Sequence, residues 1–276
     1  MKFAKAHGTG NDFVVVPDPD GALDLTADQV ALLCDRRRGI GADGLLRVVR
    51  SAKHPDAVGM AGAAEWFMDY RNQDGSIAEM CGNGVRAFAR YLTDSGLAGP
   101  SGPGHVATRA GVVAVEVRPD TITVDMPRPE IVGTGTATIA GRSYPGVKVA
   151  VGNPNLVIDL PDLDALAALD LAVAPALVPD EFPAGANVEF VVHGAPADGA
   201  DAAVTMRVSE RGIGETLSCG SGACAVAAAV LRAAGRDSGT VVVDVPGGRL
   251  TLRLDPTSCR LTGPAVIVAT GDTTLA

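Results

Sequence analysis

Met80-Cys81-Gly82-Asn83-Gly84, running into Val85-Arg86-Ala87-Phe88-Ala89-Arg90-Tyr91-Leu92, is one of two loops that decide the fold. The other, Ser218-Cys219-Gly220-Ser221-Gly222, runs into Ala223-Cys224-Ala225-Val226-Ala227-Ala228-Ala229-Val230. Each places a cysteine at the mouth of a helix, where the positive end of the dipole and unpaired N–H groups favour a thiolate. The glycines let backbone amides approach an anion such as a carboxylate. One such loop suggests a nucleophile. Two suggest a base and an acid for opposite faces of one carbon.

Outward from these loops the chain repeats a plan. In the first half Val14-Val15-Val16 reads as a strand, and Thr26 caps a helix carrying Val30, Leu32 and Leu33. Arg36-Arg37-Arg38 lie near the C-terminal end of that helix, where positive charge suits the dipole. Strands are expected at 45–49 and 66–71, a loop at 51–65, and β segments at 111–117 and 121–126. Around Pro127-Arg128-Pro129 the chain starts again. A β segment at 147–151 precedes a helix capped by Asp162, with Leu163, Leu166 and Leu169 at helical spacing. Strands at 187–192 and 205–208 lead to the second loop, and β segments follow at 240–245, 250–254 and 265–269. This is an internal duplication, and it predicts an α+β pair of similar domains with the active site in the cleft between them.

Composition narrows the function. The 276 residues are 47% hydrophobic and 20% charged, as in a soluble globular protein, with no apolar run long enough to span a membrane. A net charge of −9 argues against nucleic acid as a partner. The opening stretch Met1–Gly8 has no secretory pattern, so a cytoplasmic protein is expected. The five cysteines form no Cys-x-x-Cys pair, which disfavours structural zinc and a disulfide scaffold. Cys34, Cys224 and Cys259 read as buried packing. The four histidines have no ligand spacing, and no metal is expected; His7 belongs to a loop motif at Asn11. Gly39-x-Gly41-x-x-Gly44 matches a dinucleotide fingerprint by letter but follows a helix end where a strand is required, and a turn is expected.

Two opposed cysteines can invert a stereocentre. One thiolate removes a hydrogen from one face of a carbon, and the other thiol delivers a proton to the opposite face. Helix N-termini aimed at an α-carboxylate stabilise the enediolate-like transition state, so the scheme needs no pyridoxal phosphate.

The residues carrying this scheme resemble those of the diaminopimelate epimerases, cofactor-independent two-cysteine enzymes. The likeness runs from His7-Gly8-Thr9-Gly10-Asn11-Asp12-Phe13 to Thr262-Gly263-Pro264. It includes residues 37–44, 69–76 and 80–86, Gly152-Asn153-Pro154, Asn187-Val188-Glu189, and Glu210–Thr216 with Cys219–Gly222. The resemblance implies two domains, 1–129 (with a C-terminal strand, 266–276, returning to it) and 130–265. Each is a curved, mostly antiparallel sheet or barrel around a central helix. It further implies interconversion of LL- and meso-diaminopimelate for lysine and peptidoglycan precursors, no cofactor, a small-molecule amino-acid substrate and a homodimer. Cys81 and Cys219 match the acid–base pair, Cys81 facing the α-hydrogen of the LL isomer. The reacting carboxylate falls to N–H groups around Gly82, Asn83, Gly220 and Ser221. Asn11, Asn72, Asn153, Asn187 and Arg211 match substrate-holding positions, and Glu210 a carboxylate near the site. A diacid needs a second carboxylate clamp, for which arginine with amide donors is suited.

One position departs. The usual Gly-Asn-Pro-His is Gly152-Asn153-Pro154-Asn155 here, and asparagine cannot exchange a proton near neutrality. A working epimerase, a related racemase or epimerase with another amino-acid substrate, and a non-catalytic binder of a diamino diacid stay open. A thiol–disulfide oxidoreductase joining Cys81 to Cys219 is a weaker fourth reading.

Overall fold

The computed structural model describes residues 1–196 and 198–275. The chain divides into two compact units, Met1–Val124 together with the segment from Gly263 onward, and Asp125–Thr262.

The first unit contains β1 (Lys2–Gly8), β2 (Asn11–Pro17), α1 (Ala27–Cys34), β3 (Gly44–Arg50), β4 (Trp66–Asn72), α2 (Gly82–Asp94), β5 (His105–Thr108), β6 (Gly111–Val117) and β7 (Ile122–Met126), the last reaching the unit boundary. The second contains β8 (Glu130–Ile139), β9 (Arg142–Ala150), β10 (Pro154–Asp159), α3 (Leu163–Ala167), β11 (Ala176–Leu177), β12 (Asn187–Gly194), β13 (Ala202–Glu210), β14 (Gly214–Thr216), α4 (Gly220–Ala233), β15 (Gly239–Val245), β16 (Gly248–Asp255) and β17 (Ser258–Gly263). The last strand, β18 (Val266–Asp272), returns to the first unit beside β1.

Strand pairing exposes the duplication. The first sheet runs β18-β1-β2-β3-β4-β5-β6-β7, antiparallel except at β2/β3 and β4/β5. The second runs β8-β9-β10-β12-β13-β15-β16-β17, antiparallel except at β10/β12 and β13/β15. The parallel pairs fall at the same places because each needs a helical crossover: α1 and α2 in one unit, α3 and α4 in the other. Helix α2 touches β1, β2, β3, β4, β6 and β18, and α4 touches β8, β9, β10, β12, β13, β15 and β16. A sheet that meets one helix along most of its strands must curl around it.

That enclosure explains why most of the length of both helices is buried. Val85, Phe88 and Leu92 of α2 and Val226 and Leu231 of α4 are buried, each worth about 1.5–3 kcal/mol of transfer free energy. Alanines at 87, 89, 223, 225 and 227 let the strands approach closely. The outer helices cover the other face: α1 packs Val30 and Leu33 on Val14, Val16 and Leu45, and Leu166 beside α3's end packs on Leu156, Ile158 and Phe190. Thr26 forms the capping box of α1 with Gln29, and Asp162 caps the short α3.

Two local expectations change, and the turn expected at the dinucleotide-like glycines is present. Helix α1 ends at Cys34, so Arg36 answers carboxylates at Asp12 and Asp43, not the dipole. The dinucleotide-like glycines form a turn into β3; Gly41 has φ +79°, and a Cβ at Gly39 would strike Leu32 O. Strand β1, which the apolar pattern does not announce, forms a hairpin with β2 through Thr9 (φ +49°) and Gly10 (φ +84°).

Candidate active site

In the first unit Cys81 caps α2. Its backbone is extended (φ −143°, ψ 122°), and its sulphur accepts the Gly84 N–H at 3.5 Å. The thiol also lies 3.6 Å from Asn11 Oδ1. Asn11 is set by the tight hairpin turn, which Gly10 N–H steadies by donating to His7 Nδ1 at 3.3 Å. Asn11 Nδ2 donates to Asp43 Oδ2 at 2.8 Å, and a carboxylate accepts only, so Oδ1 faces the thiol. The same oxygen accepts Asn83 Nδ2 at 3.3 Å. Behind it, Arg36 grips Asp12 with two nitrogens at 3.0 and 2.8 Å and reaches Asp43 at 2.8 Å. Burial raises the Asp12 carboxyl, but Arg36 and Lys5 outweigh that and hold it well below the usual range.

Arg86, one turn into α2, is wholly buried. Its Nη2 donates to Thr9 Oγ1 and Asn83 Oδ1, both at 3.0 Å. It ties the hairpin turn to the first turn of α2, where a Cβ at Gly8 would come within 2.8 Å of Asn83 O. Asn83 is thereby oriented by Arg86 on one side and Asn11 on the other. Asn72, at the end of β4, donates to Ser76 Oγ at 3.0 Å and helps close the turn through Gly75.

In the second unit Cys219 caps α4 in the same way, accepting Gly222 N–H at 3.4 Å with Ser221 Oγ at 3.5 Å. It differs from Cys81 in burial: Cys219 is 4% exposed, whereas Cys81 is half-buried. The register Asn155↔Asn187 between β10 and β12 brings two buried amides beside the sulphur. Asn155 Nδ2 donates to Asn153 O at 2.9 Å and Val149 O at 3.3 Å, so its oxygen points at Asn187. Asn187 Nδ2 donates to Asn155 Oδ1 at 3.2 Å and lies 3.6 Å from Cys219 Sγ, while its oxygen accepts Arg211 N–H at 3.0 Å. Asn155 therefore acts on the thiol through Asn187. Arg211 is exposed and donates to Ala184 O at 3.0 Å. Ala184 and Gly185 line a cavity of about 470 Å³ together with Asn153, Asn155, Lys148 and Phe182.

Burial pushes the Cys219 thiol well up, and the carboxyls of Glu210 and Glu189 add to it; the Ser221 and Gly222 hydrogen bonds oppose them. The dipole argument alone predicts a thiolate here, and desolvation overrides it. Glu210 itself accepts Thr216 Oγ1 at 2.5 Å. Cys34, Cys224 and Cys259 lie in the cores, and burial pushes Cys34 up to about 12.

The structure thus gathers Asn11, Gly82, Asn83 and Cys81 at one helix start, and Asn153, Asn155, Asn187, Arg211, Gly220, Ser221 and Cys219 at the other. Asp43 and Glu189, each inside a motif run, are the groups that residue-by-residue reading passed over.

Comparison with known families adds the deciding observation: residues 3–132 and 147–275 match the family described as Diaminopimelate epimerase. The chain belongs to the diaminopimelate epimerase family. Among the relatives so named, the Streptomyces coelicolor protein is 52% identical over 282 residues, covering 99% of this chain and 95% of that one. The Thermobifida fusca diaminopimelate epimerase is 51% identical over 280 residues, covering 100% and 98%. Solved structures extend the likeness in fold beyond diaminopimelate epimerases. A phenazine biosynthesis protein of the PhzF family from Bacillus anthracis superposes with a TM-score of 0.71 at 16% identity, over 99% of this chain and 98% of that one. A hydroxyproline epimerase from Agrobacterium vitis gives 0.63 at 17%, over 98% and 91%.

Proposed function

We propose that this protein is a diaminopimelate epimerase that interconverts the LL and meso isomers with Cys81 and Cys219 as its acid–base pair. The observation that carries the reading is the matched pair of helix-capping cysteines in a chain of this family. Nearly full-length relatives of that name, about half identical, favour it over a racemase with another substrate or a silent binder.

In this mechanism Cys81 starts as the base and Cys219 as the acid. The environment of Cys219 supports that order, because a thiol whose ionisation is disfavoured by burial first and by the Glu210 carboxyl second holds its proton until a carbanion develops. The Cys81 thiolate takes the α-hydrogen of the LL isomer as carbon inverts, and the Cys219 S–H bond breaks to deliver its proton to the opposite face. The enzyme is left with Cys81 protonated and Cys219 ionised, the form required for the reverse direction. The reacting carboxylate takes N–H groups at Gly82, Asn83, Gly220 and Ser221, where charge grows in the transition state. Asn11, Asn72, Asn153, Glu210 and Arg211 hold the substrate, Arg211 serving the distal carboxylate. Asn187 and Asn155 serve the Cys219 sulphur, replacing a titratable neighbour with an uncharged donor. Assembly as a homodimer and cytoplasmic residence go with this reading and rest on the family alone.

The test is incubation of purified, reduced protein with LL-diaminopimelate, without pyridoxal phosphate, followed by chiral chromatography. Formation of the meso isomer supports the proposal; an unchanged LL isomer, with turnover of another amino acid, refutes it.

A further inference from the structure

Each of the two sulphurs has an asparagine beside it, and the two amides turn opposite ends to them. Cys81 donates its S–H to Asn11 Oδ1 at 3.6 Å, whereas Cys219 receives Asn187 Nδ2 at 3.6 Å. Neither orientation is free. The Arg211 N–H, which can only donate, takes Asn187 Oδ1 at 3.0 Å and leaves Nδ2 for Asn155 Oδ1 and the Cys219 sulphur. In the first unit the amides of Asn83 and Asn11 lie head to tail between a guanidinium and a carboxylate. Arg86 Nη2 donates to Asn83 Oδ1 at 3.0 Å, Asn83 Nδ2 to Asn11 Oδ1 at 3.3 Å, and Asn11 Nδ2 to Asp43 Oδ2 at 2.8 Å. A guanidinium only donates and a carboxylate only accepts, so both ends dictate the same direction along the row. Hydrogen bonds aligned in this way polarise one another.

Asp43 is itself held in place. Its Oδ2 also accepts the Asp12 N–H at 3.1 Å, and its Oδ1 accepts Arg36 Nη2 at 2.8 Å. Its own N–H donates to Asp12 O at 3.0 Å and Asp12 Oδ1 at 3.1 Å. These bonds follow from the parallel β2/β3 pair, whose register Phe13↔Gly44 sets Asp12 against Asp43. Asp12 already ties the strands, because it holds Lys5 and two nitrogens of Arg36. A second carboxylate is not needed for that link, and one of its oxygens is given to Asn11.

We propose that Asp43 is a positioning residue for the Cys81 thiol: it locks the Asn11 amide so that the oxygen, not the nitrogen, meets the sulphur. Without the carboxylate the amide is free to turn over and offer its N–H, as Asn187 does at Cys219. An acceptor favours the protonated sulphur and a donor the ionised one. The two amides therefore favour a proton on Cys81 and none on Cys219. That is the distribution reached once Cys81 has taken the α-hydrogen and Cys219 has given up its own. Both contacts strengthen as the protons move, which is the condition for an interaction to speed the step.

The inference rests on the two-thiol reading, and its main readout needs no turnover, so the two can fail separately. That readout is the S–H stretching band of Cys81 in Raman spectra of the reduced, full-length protein. It is recorded at about pH 6, where an ordinary thiol is protonated, and isolated by subtracting the spectrum of Cys81→Ala in the same background. The parental band is expected at lower wavenumber than that of a free alkyl thiol. Asn11→Ala and Asp43→Ala should each move it to higher wavenumber, and Asp43→Ala should add no further shift once Asn11 is alanine. With LL-diaminopimelate, Asp43→Ala should lose kcat about three- to tenfold, the size of one neutral hydrogen bond, and that loss should vanish in the Asn11→Ala background. A Cys81 band that Asn11→Ala leaves unmoved overturns the proposal, whether or not Asp43→Ala folds. An Asp43→Ala effect that persists undiminished in the Asn11→Ala background also overturns it, because the carboxylate then acts through its charge or on the fold. Coupled band shifts in a protein that does not epimerise would uphold the positioning and refute the two-thiol function.

Discussion

Gly84 and Gly222 occupy the same position in the two cysteine loops, yet alanine should have opposite effects at them. Both lie in the first turn of a helix with ordinary helical backbone, so alanine gains up to about 1 kcal/mol in helix propensity at either. At Gly84 the new Cβ finds Leu46 Cδ2 at 3.4 Å, Cys81 Cβ at 3.5 Å and Phe13 Cζ at 3.6 Å, all normal contacts. At Gly222 it meets Glu189 Oε1 at 2.5 Å and the Cδ and Cγ of the same side chain at 3.1 Å. Glu189 is wholly buried and has nowhere to withdraw, so about 1–3 kcal/mol of overpacking offsets the propensity gain. The two variants should differ by about 2 kcal/mol, or roughly 4–8 °C in melting temperature for a chain of this size. Gly84→Ala should melt at or above the parent and Gly222→Ala below it. Calorimetry on both settles the sign. A double mutant with Glu189→Ala should show a favourable coupling of about 1 kcal/mol or more with Gly222→Ala. Equal melting temperatures for the single variants, or additivity in the double, would refute the packing argument.

Other substitutions test the site's chemistry. Cys81→Ala and Cys219→Ala should each lower epimerisation below about a hundredth of the parental rate, measured by chiral chromatography. Elimination from a halogenated substrate analogue can survive with one thiol. Asn155→His should lose activity and melt lower by the equivalent of about 1–3 kcal/mol. A ring cannot donate to both Val149 O and Asn153 O while accepting from Asn187, so a buried partner is left unpaired. A gain in rate would show that asparagine is a handicap. Glu189 also predicts a pH signature in denaturant titrations. Its folded pKa lies above the unfolded value near 4.5, so the native state binds the extra proton and stability falls as pH rises through that window. The stability advantage of Glu189→Gln should therefore grow as pH rises above about 4.5; a constant difference would mean an ordinarily ionised glutamate.

The helix starts at Cys81 and Cys219 were legible because capping and glycine spacing are local. The duplication was legible through them, although the matching order of strand pairings emerges only in three dimensions. Strand β1 was hidden because its inward face is Ala4, Ala6 and Gly8. Small residues are required there by the approach of α2, and they give little hydrophobic signal. Glu189 sits in an apolar strand run where alternation suggests nothing unusual; its burial and neutrality depend on Gly222 and Glu210, both distant in sequence. The same distance effect inverted the reading of Cys219. A helix dipole can be seen in sequence, whereas desolvation by a surrounding sheet cannot. Asn155 was recognised as a departure from the family, but its route to the sulphur through Asn187 needed the β10/β12 register.

The central claim is that two thiols work on opposite faces of one carbon. Proton NMR and mass spectrometry of LL-diaminopimelate incubated in D₂O, sampled before a tenth of it has reacted, test it most directly. Two-thiol inversion predicts meso product carrying solvent deuterium at the inverted α-carbon while the remaining LL substrate keeps its hydrogen. Product that retains the original hydrogen, or substrate that gains deuterium as fast as product forms, would mean one base serves both faces and would contradict the account.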